Sequence, residues 1–244
     1  MRSRLITLLT AMMFFAACGM AAAQAPAGND CAGPDPDRAI AACTLILQQG
    51  RRLPPRVQVK TLHHRGAAYV EKRDFDRAIA DYDAALRLEP NNPHIYNSRG
   101  IAYRRKGEYD RAIADYAAAI RLDPRNPHFF RHRGVAYRWK REYDRAIADY
   151  SQAIRLNPAY ALAYGSRAVV YRLKLDFPRA LAGHDAAIRY APREASAYMS
   201  RGATYEAMGD KAKADPLRQR ATEIRNKNKI KSASPQPTAS STPT

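Results

Sequence analysis

Residues 93–126 read PHIYNSRGIAYRRKGEYDRAIADYAAAIRLDPRN, and residues 127–160 read PHFFRHRGVAYRWKREYDRAIADYSQAIRLNPAY. The second stretch repeats the first after 34 residues, and a fixed period of about 20 to 50 residues signals a stacked array. Glycines keep the step at Gly66, Gly100, Gly134 and Gly202, with Ala168 in the vacant slot. Tyr69, Tyr103, Tyr137, Tyr171 and Tyr205 keep it too, as do Ala78, Ala112, Ala146 and Ala180, and then Ala85, Ala119, Ala153, Ala187 and Ala221. Prolines close four units at Pro90, Pro124, Pro158 and Pro192.

Each unit predicts two helices. In the quoted unit they run from Pro93 to Lys106 and from Tyr109 to Leu122, broken at Gly107 and stopped near Asp123-Pro124, because proline cannot continue a helix. Gly100, Ala112 and Ala119 are small enough to let the two helices approach. Tyr103 and Tyr116 fill the space between them, and Ile113 and Ile120 cover the face that the next unit buries. One such unit cannot bury its own apolar face, whereas several stacked together make a continuous core.

This pattern resembles the tetratricopeptide repeat family over about residues 59–225. The resemblance implies an all-α fold, a right-handed α-solenoid of helix-turn-helix repeats. The units are expected at 59–92, 93–126, 127–160 and 161–194, with a degenerate fifth unit or cap at 195–225. Residues 24–58 read as an N-terminal half-repeat cap, since Asp37-Arg38-Ala39-Ile40-Ala41-Ala42 copies the phrase Asp76-Arg77-Ala78-Ile79-Ala80-Asp81. Cys43 then stands where Tyr82 stands. At the other end Pro216 follows a phrase that fits only with two residues deleted, so the last helix is expected to be an irregular cap.

Both ends carry other signals. Arg2 and Arg4, the apolar run Leu5 to Met20 and the small residues Ala21-Ala22-Ala23 read as a cleaved export signal over 1–23, which places the protein in the periplasm or outside the cell. Phe15-Ala16-Ala17-Cys18 loosely resembles a lipoprotein signal, but its phenylalanine fits poorly and cleavage downstream removes Cys18. The remaining cysteines, Cys31 and Cys43, are expected to pair as a disulfide in an oxidising compartment. No histidine has the spacing to join them around zinc. No other segment could span a membrane, so an integral membrane protein is not expected. From Asn226 to Thr244 apolar periodicity ends, and a disordered tail is expected.

The chain has 41 Lys+Arg against 23 Asp+Glu, a net charge of +18, and loss of Arg2 and Arg4 with the leader lowers this by two. Such a charge draws acidic partners or anionic surfaces. Nucleic acid is not expected of an exported protein, which leaves an acidic protein or peptide, or anionic envelope polymer and lipid head groups. An arginine precedes each glycine or its substitute, at Arg65, Arg99, Arg133, Arg167 and Arg201, and the first three have an aspartate 16 residues on, at Asp81, Asp115 and Asp149. These pairs are expected to be partly buried salt bridges between the two helices of a unit. Arg167 lacks one because Gly183 holds the place, with His184 or Asp185 as possible substitutes.

The resemblance also implies that the first helix of each unit lines a concave groove. Helical spacing then selects Lys60, His63 and Val70, then His94, Asn97 and Arg104, then His128, Arg131 and Arg138, with Trp139 and Arg105 at the rim. This wall is cationic, with no acidic member. Leu162, Gly165 and Val169, followed by Ser196, Met199 and Glu206, continue it as a more apolar wall with Arg172. The expected ligand therefore has an acidic and an apolar part. The family's Lys/Asn carboxylate clamp is not carried over, because His63, Ala67, Ser98, His128 and His132 stand at its places. Five histidines on first helices suggest a wall that gains charge on acidification; His128 and His132, four apart, have the spacing of a metal pair, but no carboxylate or cysteine joins them and no metal site is expected. No cofactor is expected. Motifs for nucleophilic, phosphate-cradling or metal-assisted chemistry are absent from the sequence, and a non-catalytic protein is the expectation, with Glu71 and Glu206 the only carboxylates expected near the groove.

Overall fold

The computed structural model describes residues 30–48 and 53–233. A single 3-10 turn at Asp30–Ala32 leads into α1 (Pro36–Gln48). Ten helices follow as five packed pairs: α2 (Pro55–Glu71) with α3 (Phe75–Leu88), α4 (Pro93–Lys106) with α5 (Tyr109–Leu122), α6 (Pro127–Trp139) with α7 (Tyr143–Leu156), α8 (Ala161–Leu173) with α9 (Phe177–Tyr190), and α10 (Ala195–Ala207) with α11 (Lys211–Ala233). No strand occurs among the described residues. The pairs stack in chain order, and consecutive first helices touch one another while consecutive second helices make no comparable contact. The row of first helices is thus the tighter one, and the α-solenoid bends around it with α2, α4, α6, α8 and α10 on the concave side.

Local chemistry sets the boundaries. Asn92 Oδ1 accepts hydrogen bonds from the backbone N–H groups of His94 and Ile95 at 3.1 and 3.3 Å, and Pro93 supplies the first helical position, which together start α4 where the sequence predicts. Gly107 ends it in the left-handed region at φ 92°, where glycine meets no steric cost. The turn keeps this conformation in every unit: Arg73, Arg141 and Leu175 stand at φ 62° and Gly209 at φ 82°. Helix α2 begins at Pro55, ahead of the expected boundary at 59. The expected tail also needs correction at its start, since α11 passes through Pro216 and continues to Ala233; from Leu217 to Ala233 there is no glycine or proline to stop it. The export signal at 1–23, Cys18, the start of the cap at 24–29 and the tail beyond 233 lie outside the described residues. No helix among the described residues is long and apolar enough to cross a membrane.

The Cys31–Cys43 disulfide is formed, with S–S 2.07 Å, and both cysteines are buried. It fastens the turn at Asp30–Ala32 to α1, which packs on α2 as the half-repeat cap.

Two pairings hold each of the first three units. A Cβ placed on Gly66, Gly100 or Gly134 would lie 2.7 Å from the ring of Tyr82, Tyr116 or Tyr150, so glycine is what lets those buried rings seat. The Arg65–Asp81, Arg99–Asp115 and Arg133–Asp149 contacts are all bidentate, at 2.7 to 2.9 Å. Burial pushes the Asp115 and Asp149 carboxyls up and the guanidinium opposes it; the short fork-to-fork geometry keeps the pairs ionised at neutral pH. Arg99 also reaches Asp83 of the preceding second helix at 2.6 Å.

The fourth unit breaks both pairings. Arg167 has Ser151 Oγ at 2.9 Å and no carboxylate among the described residues. Asp185 bonds Arg201 instead, at 2.7 Å, and His184 is fully buried with neither ring nitrogen hydrogen-bonded. Neither residue substitutes as Arg167's partner. Ala168 takes the glycine's slot, and Gly183 accommodates it, since a Cβ there would lie 2.8 Å from the Ala168 methyl.

Candidate functional site

The concave row presents three lines of side chains, each at the 34-residue step. One line is Lys60, His94, His128, Leu162 and Ser196, all exposed at the helix starts except that Leu162 alone is a large apolar group, 49% exposed. The next is His63, Asn97, Arg131, Gly165 and Met199, half-buried on the floor. The third, one or two turns on, is Val70, Arg104, Arg138, Arg172 and Glu206.

In the first three units the floor is organised by hydrogen bonds between successive first helices. His63 Nε2 lies 2.9 Å from Ser98 Oγ, and His132 Nδ1 lies 2.7 Å from Asn97 Oδ1. Tyr160, unnoticed in the sequence, is a junction: its hydroxyl accepts from Arg131 Nε at 2.7 Å and stands 2.8 Å from His128 Nδ1. Burial and Arg131 favour a neutral His128, whose unprotonated nitrogen can take the tyrosine's own proton. Trp139, 54% exposed at the rim, stacks on Tyr109 at 6.2 Å and receives the Arg138 guanidinium over its ring at 5.2 Å.

The expected gain of charge on acidification is corrected by these contacts. Burial is the main cause that lowers His63, His128 and His132, and His132, beside Arg131 and Arg104, is pushed down to about 3. A proton on any of them would face a cationic wall from a desolvated position. His128 and His132 also turn to different partners, Tyr160 and Asn97, rather than to a common centre.

Cationic character comes instead from the arginines. Arg104, Arg131, Arg138 and Arg172 make no ion pair among the described residues, and the Nε atoms of Arg104 and Arg172 are buried without an acceptor. The wall is not free of acid, as the sequence reading had it: Glu89 lines the shallow recess beside Lys60, His63 and His94, where its Oε2 accepts from Asn92 at 2.8 Å. Glu71 pairs with Arg105 at 3.3 Å and Glu206 with Arg218, so both are engaged.

The apolar half holds a cavity of about 200 Å³ between α6, α8 and α10. Val135, Leu162 and Val169 form its walls, Gly165 opens its floor, Ser200 lies at its far side and Arg138 and Glu194 stand at opposite edges. Sequence spacing placed Leu162, Gly165 and Val169 on one wall but not the hollow beside them, which depends on small residues of α8, α9 and α10 meeting.

Tetratricopeptide repeat models match residues 65–127, 129–160 and 195–228, stretches that flank the altered fourth unit. Among solved structures, that of MamA is 29% identical, with a TM-score of 0.57, covering 68% of this chain and 96% of that one. BtubC from P. vanneervenii is 22% identical, with a TM-score of 0.67 over 86% of this chain and 97% of that one. YrrB, described as a TPR protein with an unusual peptide-binding site, is 21% identical, with a TM-score of 0.52 over 78% of this chain and 95% of that one. The last two likenesses concern the fold alone. No curated protein matches the sequence. The step that spaces the glycines, tyrosines and arginines also spaces the helix pairs, and the chain belongs to the tetratricopeptide repeat family.

Proposed function

We propose that this chain is a non-catalytic scaffold of the periplasm or cell exterior that holds a partner protein or peptide, with acidic and apolar parts, in its concave groove. One observation carries the reading. Arg65, Arg99 and Arg133 are neutralised inside the array, whereas Arg104, Arg131 and Arg138, on the groove side of two consecutive first helices, have no carboxylate partner among the described residues, and Arg138 also edges an apolar cavity. Such a wall suits a partner's carboxylates through charge-assisted hydrogen bonds. The Cys31–Cys43 disulfide and the leader-like first residues support the location. The likeness to YrrB, whose structure is described as having a peptide-binding site, fits the same use of the fold.

The net charge of +18 favours a second reading, electrostatic binding of anionic envelope polymer or lipid head groups. Salt separates the two, because charge-only binding collapses with ionic strength while a groove that buries apolar side chains keeps part of its affinity. Affinity capture from an envelope extract at low and high salt tests this, using the wild type and an Asn97→Ala, Arg104→Ala, Arg131→Ala, Arg138→Ala variant matched for its melting curve. Discrete proteins that survive salt and are lost from the variant support the scaffold. Heterogeneous anionic material released by salt overturns it in favour of the second reading.

A further inference from the structure

At one 34-residue step the first helices carry His63, Asn97, Arg131, Gly165 and Met199. Four of these project a side chain over the groove floor, and at Gly165 there is none. A Cβ added there would meet only the Ala187 methyl, at 3.8 Å, so close packing does not require the glycine as it does at Gly134. The glycine instead leaves space on the partner's side, and the small residues Ala197 and Ser200 of α10 extend it. Glycine inside a helix costs about 1 kcal/mol relative to alanine, and no close approach among the described residues requires it at Gly165.

The size of the hollow limits its occupant. A dry cavity of roughly 150 Å³ accepts a benzene-sized molecule, whereas sites for whole ligands run from about 300 to 1,000 Å³. At about 200 Å³ this one suits a single leucine- or phenylalanine-sized group. Its walls, Val135, Leu162 and Val169, are aliphatic, and Leu162 stands half-exposed at the lip. The charges at its edges are unequal. Arg138, on the α6 side, has no ion-pair partner among the described residues, and Arg131 follows it along the same helix. Glu194, on the α10 side, is occupied by the backbone N–H and hydroxyl of Ser196, at 3.4 and 2.8 Å, and repels a second carboxylate.

We infer that the cavity floored by Gly165 is an anchor site for one large apolar side chain of an extended acidic peptide, which lies with its carboxylates toward α6 and its uncharged end toward α10. Burying such a side chain in a fitted pocket supplies the kind of anchor that dominates interface energetics, and the arginines set which way the peptide runs. The inference rests on the scaffold reading above and adds where the apolar part sits and how the peptide is polarised.

A displayed library of random dodecapeptides, selected on the oxidised, folded protein, tests it. Selected clones are then measured against Gly165→Met, which fills the hollow with the side chain α10 carries at that position, against Leu162→Gln, which leaves the floor untouched, and against Arg138→Ala. The expected result is enrichment of clones with a leucine or phenylalanine on one side of an acidic pair. Those clones should bind at least tenfold more weakly to Gly165→Met and to Leu162→Gln, with unchanged melting curves, and more weakly to Arg138→Ala. Acidic clones indifferent to Gly165→Met and Leu162→Gln, but lost with the four-residue groove variant, overturn the anchor and leave the scaffold reading standing. Apolar clones indifferent to Arg138→Ala overturn the proposed polarity. If no clone depends on the groove at all, both readings fall.

Discussion

Unit three (α6–α7) and unit four (α8–α9) are neighbours written on one pattern, yet they differ both in what ties them and in what they leave open. Unit three has a bidentate arginine–aspartate pair and a tyrosine seated on glycine. Unit four has no such pair, since Arg167 donates only to Ser151 on α7 of unit three, and an unbonded histidine stands beside an Ala168–Gly183 contact. On the groove side the contrast is reversed. Unit three fills its floor with Arg131, His128 and His132, whereas unit four opens a cavity at Gly165. The unit without an internal arginine–aspartate pair is the one with room for a partner.

The sharpest way to break this comparison is to cut each tie. Asp149→Ala leaves Arg133 unpaired in a half-buried site and should destabilise the protein by about 3 kcal/mol. Ser151→Ala removes only a neutral partner and should cost about 1 kcal/mol. Denaturant unfolding of both variants measures the difference, and equal costs would mean that the Arg167–Ser151 contact between units holds as firmly as the ion pair within unit three.

A gain of function in packing follows next in size. Ala168→Gly, Gly183→Asp and His184→Tyr together restore to unit four the glycine, aspartate and tyrosine of its neighbours. The triple variant should gain about 1 kcal/mol, the scale of other pattern-restoring substitutions, and a loss of stability in the same unfolding assay would show that the altered unit is already at its packing optimum.

Acid provides the finest test. Burial depresses His184 to about 4, with Arg172 and Arg201 adding to it, and His132 to about 3. In the unfolded chain both titrate near 6.5. Below that value the unfolded state takes up protons that the folded state refuses, so the stability these groups contribute is complete above about 6.5 and falls as pH drops toward their folded values. Melting temperature should decline between pH 7 and pH 4. In the triple variant, which lacks His184, the decline should be shallower; an unchanged slope would remove His184 from the account.

Much of this was legible in the sequence because a 34-residue step repeats every constraint several times. The ends of α4 and α5 were predicted to the residue from Pro93, Gly107 and Pro124, each of which acts through its own backbone. The three arginine–aspartate pairs and the disulfide were legible for a similar reason, since a fixed offset brings complementary groups together. What stayed hidden depends on environment rather than spacing. The histidines were expected to add charge, but burial and the neighbouring Arg131 and Arg104 hold His128 and His132 down, and their partners Tyr160 and Asn97 come from other elements. Arg167's lack of a carboxylate was visible, but not that Asp185 would be drawn to Arg201. The cavity was read only as a bland wall, because a hollow is made by residues that are small on three helices at once, and smallness on one helix carries no such signal.

Arg99 grips Asp83 on one side and Asp115 on the other, so a single guanidinium clips α4 to the second helices both before and after it. Arg167 has a serine on one side and, at Gly183, nothing to grip on the other. Pulled along its length, the array should therefore yield first inside unit four, where α8 has no clip to the second helix after it, and a single-molecule extension trace would show that as an early small step. Load carried by a captive partner would then slacken its own seat before it unravelled the solenoid, which makes this unit a mechanical fuse.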